Sequence, residues 1–209
     1  MSADGNCPDR DWSVSAIVLA GGASTRLGTD KTRLARGQAT LLDHVLTAVS
    51  HTDQRIVVGD PRSTTSPVEW AREDPPGSGP AAGIVAGLAR VHAEMTVLLA
   101  GDLAQVSAGT VATLLAAAPH HDGAVIVDGT GRRQHLLSAV RTAALRRAAS
   151  VRASWADSSV HELLATLDLV EVLARGPEAA DVDEPGDLDL LRSLTDRPQR
   201  SRRSPDVHA

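Results

Sequence analysis

The chain has 209 residues, a formal net charge of −5 and 42% apolar residues, enough length to bury one sizeable core and short for two full domains. Its acidic balance argues against a nucleic-acid-binding surface, and no apolar run approaches the roughly 20 residues that span a bilayer. The single Cys7 allows neither an internal disulfide nor a cysteine-based metal site, so a reducing cytoplasm is the expected compartment.

Segment 1–13 carries Asp4, Asp9 and Asp11 where a secretory leader would place basic and then apolar residues, and it is expected to be flexible and not secretory. Ala16-Ile17-Val18-Leu19 is apolar on both faces, as a central parallel strand should be. Thr40 can cap a helix over residues 41–50, in which Leu41, Leu42, Val45, Leu46 and Val49 share a face. A strand at 55–58 follows. Pro75, Pro76, Gly77 and Gly79 then make a loop before a helix over 81–94, and 96–100 reads as another buried strand.

Further strands are expected near 123–127, 136–140 and 167–172, with helices over 108–118, 142–149 and 159–165 and a last one after Pro185. This alternation predicts a single α/β domain over 14–195, a Rossmann-like three-layer sandwich whose mainly parallel sheet has helices on both faces. Residues 196–209, with Arg197, Arg200, Arg202 and Arg203 between Asp196 and Pro205, read as a disordered basic tail. With three Trp and neither Tyr nor Phe, the core has to be built from Leu, Val, Ile and Ala, and base stacking on aromatic rings is not expected.

The chemistry concentrates after the first strand, in Val18-Leu19-Ala20-Gly21-Gly22-Ala23-Ser24-Thr25-Arg26-Leu27-Gly28-Thr29-Asp30-Lys31. Glycines let a backbone approach phosphate closely and expose N–H groups as an anion nest, while Arg26 and Lys31 supply the charge that a polyphosphate needs. The spacing is neither GxxxxGK[ST] nor GxGxxG. Asp102 follows Gly101 at the carboxyl end of the 96–100 strand, where open α/β sheets place their ligands. It is a candidate ligand for Mg²⁺, which takes one or two carboxylates together with substrate phosphates. His120 and His121 have no zinc-type spacing.

The LAGGASTRLGTDK loop resembles the signature of the molybdenum cofactor guanylyltransferase family, within nucleotidyltransferases of glycosyltransferase-A-like fold. Sugar-1-phosphate nucleotidyltransferases have a longer loop, commonly with a proline before the lysine; here Lys31 comes nine positions after Gly22. The family's guanylyl-specific members tend to read LAGG and the cytidylyl-specific ones LAAG, so Leu19-Ala20-Gly21-Gly22 points to GTP. Asp102 matches the family's metal-binding aspartate, although Leu103-Ala104-Gln105 lacks the usual proline. Asp181-Val182-Asp183-Glu184-Pro185-Gly186-Asp187-Leu188 resembles the late D-x-D-T-P-E-D-L segment, with Glu184 in place of threonine. Strand alternation puts Asp181 and Asp183 on one side. Asp183 is the favoured second metal ligand, with capping of the final helix as its competing role.

Asp74, ahead of Gly79-Pro80-Ala81-Ala82-Gly83, resembles the aspartate of the family's D…GPLAGL segment. Its two acceptor oxygens suit the adjacent N–H donors of guanine. Asp128-Gly129-Thr130-Gly131-Arg132-Arg133-Gln134-His135 resembles the D-G-x-x-x-x-Q/H-P stretch that approaches the pterin, with His135 where proline is usual. Arg132 or Arg133 can serve a substrate phosphate there, or the two can be solvated on an exposed hairpin.

The resemblance implies a cytoplasmic enzyme that transfers GMP from GTP to the terminal phosphate of molybdenum-loaded molybdopterin. Arg26, Lys31 and Asp102 would be catalytic, Leu19, Ala20, Gly21, Gly22, Ser24 and Asp74 would join them in holding the nucleotide, and Asp102 and Asp183 would hold Mg²⁺. It also implies handover of the product to a molybdoenzyme or its chaperone, with no membrane or nucleic-acid partner. Three alternatives stay open: cytidylyl transfer to molybdopterin, guanylyl transfer to another phosphate such as cobinamide phosphate, and a noncatalytic GTP-binding cofactor-delivery protein.

Overall fold

A computed structural model describes residues 12–21, 35–36 and 39–174. The elements in chain order are β1 (Val14–Leu19), β2 (Ala35–Arg36), β3 (Ala39–Thr40), α1 (Leu41–Ala48), β4 (Gln54–Val58), β5 (Glu69–Ala71) and α2 (Pro80–Leu88), followed by β6 (Met95–Ala100), α3 (Ala108–Ala117), β7 (Gly123–Val127), β8 (Arg133–Arg141), α4 (Thr142–Ala149), α5 (Val160–Leu164) and β9 (Leu169–Leu173). Seven strands form one sheet in the order β5-β4-β1-β6-β8-β7-β9. Every neighbouring pair is parallel except that β8 runs antiparallel to both β6 and β7. β2 and β3 form a separate antiparallel ribbon.

Strand alternation divides the core into two layers. Val14, Ala16 and Val18 of β1 face one cluster with Leu42, Val45 and Leu46 of α1 and Val111, Leu114 and Leu115 of α3. Ile17 faces the other, with Ile84 and Leu88 of α2, Ala144 and Leu145 of α4, and Leu163 and Leu164 of α5. The three-layer α/β sandwich is thus present, and its core is aliphatic; among the described residues Trp155 is the one aromatic side chain in the buried apolar core. α2 packs closely against the sheet because Gly87 lacks a side chain: a Cβ there would lie 2.9 Å from Ile17 Cγ2 and 3.2 Å from Val58 Cγ2.

Local signals account for the elements near the site. Thr40 caps α1 in a reciprocal capping box with Asp43, its hydroxyl accepting from Asp43 N–H at 3.2 Å while Asp43 Oδ2 accepts from Thr40 N–H at 3.1 Å. Pro80 opens α2, where a missing N–H costs nothing. The helix expected over 81–94 stops at Leu88 because tertiary bonds take over the chain beyond it. Gln54 Nε2–H donates to Arg90 O at 2.9 Å, His92 N–H donates to Gln54 Oε1 at 3.3 Å, and Val91 turns into the core. Strand β5 and the β2–β3 ribbon lie in segments where no strand is predicted. The basic tail, the late acidic segment and the helix expected after Pro185 lie outside the described residues. Among the described residues no helix is long and apolar enough to cross a membrane.

Candidate nucleotide site

The chain leaves β1 through α1 to reach β4 on one side, and returns through α2 to place β6 on the other. The strand order therefore reverses at β1, and the crevice beyond the carboxyl ends of β1 and β6 is the topological switch point. Leu19, Ala20 and Gly21 enter it from β1, Gly101 and Asp102 from β6. Backbone bonds carry the ladder past the strand ends: Ala20 N–H donates to Val58 O at 2.8 Å, Gly101 N–H to Leu19 O at 2.8 Å, and Gly59 N–H to Ala71 O at 3.0 Å. Gly59, at φ 147°, lets its backbone pass against that of β1, since a Cβ on it would meet Ala20 C and Gly21 N at 3.1 Å.

Four residues, Ala71, Val58, Leu19 and Ala100, stand in one register row across β5, β4, β1 and β6. At about 4.8 Å per strand the row spans about 14 Å. In the chain, Asp74 follows Ala71 and Asp102 follows Ala100 by a few positions. Asp102 is half-buried. Its loop, which lacks the family's proline, is anchored by Leu103 and Val106, which insert into the α1–α3 layer, and Ala104 is buried as well. A hard carboxylate at a strand end is the donor type that Mg²⁺ takes. No cluster of three or more metal-ligating side chains occurs among the described residues.

Asp74 is exposed at the lip of a groove of about 490 Å³ between the β5–α2 loop and the α4–α5 connector, lined also by Ser78, Val85, Ala89, Arg152 and Trp155. Its neighbours are already engaged: Arg72 pairs with Asp60, and Glu73 Oε1 accepts from Gly77 N–H at 3.0 Å. Among the described residues Asp74 is the acidic side chain of this loop with no hydrogen bond or ion pair.

Antiparallel pairing of Leu99 with Leu137 brings the start of β8 to the same edge. The preceding hairpin is tied by Asp128. Its carboxylate accepts from Thr130 Oγ1–H (2.6 Å), Arg132 N–H (3.0 Å), Thr130 N–H (2.8 Å) and Gln134 Nε2–H (2.8 Å), which hold its pKa far below the ordinary carboxylate value. Arg133 is paired with Glu171 at 2.8 Å, while Arg132 stays exposed. His135 packs edge-on against His161 with ring centroids 5.2 Å apart.

The structure therefore brings Leu19, Ala20, Gly21 and Asp102 together and sets Asp74 to one side of them. Gly22, Ser24, Arg26, Lys31, Asp181 and Asp183 lie outside the described residues. Sequence reasoning missed Gly59 and the His135–His161 contact. The glycine directly after an apolar strand was a readable signal for the first; no local signal exists for the second.

A three-layer α/β sandwich with a glycine-bearing strand end and a carboxylate flanking its switch point has the layout of the open α/β proteins that bind ligands in that crevice. The chain belongs to the MobA-like NTP transferase domain family, whose model matches residues 16–172. It is 34% identical over 133 residues to a probable molybdenum cofactor guanylyltransferase from a strain of Bacillus cereus, a match covering 60% of this chain and 66% of that protein. A solved homologue of Mycobacterium tuberculosis rv0371c from Mycobacterium sp. strain JC1 superposes with a TM-score of 0.71 at 26% identity, covering 87% of this chain and 96% of that one. The 2-C-methyl-D-erythritol 4-phosphate cytidylyltransferase of Thermus thermophilus shares the fold, with a TM-score of 0.66 at 20% identity over 87% and 98% of the two chains.

Proposed function

We propose that this nucleotidyltransferase transfers GMP from GTP to the terminal phosphate of molybdopterin carrying molybdenum. The strand-end row from Ala71 to Ala100, about 14 Å long, supports this reading, because an extended nucleotide laid along it runs from the loop that carries Asp74 toward Asp102. Its base would lie toward Asp74 and its α-phosphate toward Asp102. Leu19, Ala20, Gly21, Gly22 and Ser24 would hold the triphosphate, with Arg26 and Lys31 neutralising its oxygens. An acceptor phosphate oxygen bonds to the α-phosphorus in line with the bridging oxygen, whose bond to it breaks as pyrophosphate leaves. No protein nucleophile is required; the residues act by positioning and charge. Asp102, with Asp183 from the late acidic segment, would hold Mg²⁺, which supplies charge neutralisation at the phosphates. Guanine over cytosine is supported by the Leu-Ala-Gly-Gly strand end and by the guanylyltransferase relative.

The test is pyrophosphate release with GTP, CTP or ATP in the presence of Mg²⁺, with and without molybdenum-loaded molybdopterin. Release with GTP alone, and only when the pterin is present, is the expected result. Release with CTP instead, or with a different phosphate acceptor, overturns it. Asp74→Asn is expected to weaken GTP binding about tenfold while leaving CTP binding close to native; equal losses remove Asp74 from base selection.

A further inference from the structure

The loop that carries Asp74 is held partly by its own bonds and partly from outside. Its internal ties are the bond from Gly77 N–H to Glu73 Oε1 and one from Ser78 Oγ–H to Pro75 O at 2.5 Å. The α4–α5 connector supplies the rest. Asp157 N–H donates to Ser78 O at 2.8 Å and Ala81 N–H donates to Ser158 O at 3.4 Å, so two successive connector residues bracket Gly79. The two segments are in van der Waals reach, since a Cβ on Gly79 would stand 3.7 Å from Asp157 Cα.

Presenting both groups to the same turn requires an unusual backbone. Asp157 has φ 56° and is the one non-glycine residue at positive φ among the described residues. The left-handed region costs most L-residues about 1–2 kcal/mol and is least unfavourable for Asn and Asp. The connector can sustain it because it is anchored. Trp155 is 5% exposed, its Nε1–H donates to Ala149 O at 2.7 Å, and the Arg152 guanidinium lies over its ring at 4.7 Å from the centroid. Ser158 N–H returns to Trp155 O at 3.3 Å, and Ser159 caps α5 through a capping box with Glu162.

We infer that Asp157 is a positioning residue for the nucleotide site: its left-handed backbone fixes the Ser78–Ala81 turn and thereby the placement of Asp74. The inference rests on the reading of Asp74 as the base-side carboxylate. It concerns the backbone of Asp157, so it separates substitutions by their tolerance of positive φ and not by their charge.

Asp157→Gly, Asp157→Asn, Asp157→Ala and Asp157→Val in the full chain provide the test, with amide hydrogen exchange over residues 74–82 in the absence of ligand as the first readout. Exchange should quicken about tenfold in the valine variant and less in the alanine variant, and stay native in the glycine and asparagine variants. KM for GTP should rise about tenfold in the valine variant with kcat within about twofold of native. Unchanged exchange in both the valine and alanine variants overturns the inference, as does a glycine variant as impaired as valine, which would place the effect on the carboxylate. Faster exchange with unaltered GTP affinity also overturns it. A native protein that does not use GTP at all would instead defeat the functional reading, and the exchange data would still decide whether Asp157 holds the turn.

Discussion

Asp102 and His135 show how much one residue's surroundings decide. Asp102→Asn keeps the shape of the side chain and removes the charge that a hard cation and an α-phosphate need, so turnover should fall by at least about a hundredfold with the thermal midpoint near native. A midpoint that falls in step with activity would make Asp102 structural. His135 is half-buried, and that burial, reinforced by His161, Arg133 and Arg132, holds its pKa below the ordinary imidazole value. The unfolded chain takes up a proton at about pH 6.5 while the folded protein resists it. The stability it contributes is therefore full above that pH and is lost as the pH falls toward the folded value. The native midpoint should drop more steeply between about pH 7 and pH 5 than that of His135→Leu; parallel pH profiles would contradict this. The acidic arm below about pH 4 belongs to carboxylates such as Asp128 and Asp43, whose folded pKa values are depressed.

Elements are joined here by side chains that serve two of them. Asp43, 7% exposed, completes the cap of α1 with Oδ2, and its Oδ1 accepts from Thr65 N–H at 2.8 Å and Thr65 Oγ1–H at 2.9 Å in the β4–β5 loop. Burial opposes ionisation of this carboxyl, but the bonds from Thr65 and Thr40 outweigh it and lower its pKa. Asp43→Ala should cost about 2–3 kcal/mol in urea unfolding, more than the roughly 1 kcal/mol of a lone cap, because one buried carboxylate accepts charge-assisted bonds from both the helix cap and the β4–β5 loop. A loss no larger than that of a cap would show that the loop finds other partners. The capping pattern and the apolar face of α1 were readable in sequence. The early end of α2 was not, since Gln54 claims the backbone of residues 90 and 92 from 36 and 38 positions away. Strand β5 has three residues, too few for an alternation pattern, and is a strand because β4 pairs with it.

The molecule as a whole is two apolar layers sharing one sheet. Leu98 and Leu99 are adjacent on β6, both 0% exposed, and point into opposite layers. Leu98→Ala and Leu99→Ala should each cost about 2–5 kcal/mol and lower the same single unfolding transition, because neither layer can form without the shared strands. Two separable transitions would show that the layers fold apart. Most of the strands and helices, and the place of Asp102 at a strand end beside Leu19–Gly21, were legible in the sequence, since apolar periodicity and caps act over a few neighbouring residues. The order of the strands, the reversal of β8, the row that runs from Ala71 to Ala100 and the bond from Asp157 N–H to Ser78 O were decided only in three dimensions. Each depends on pairing between residues far apart in the chain, where hydrogen-bonded register and close backbone approach, and not local preference, choose the partner.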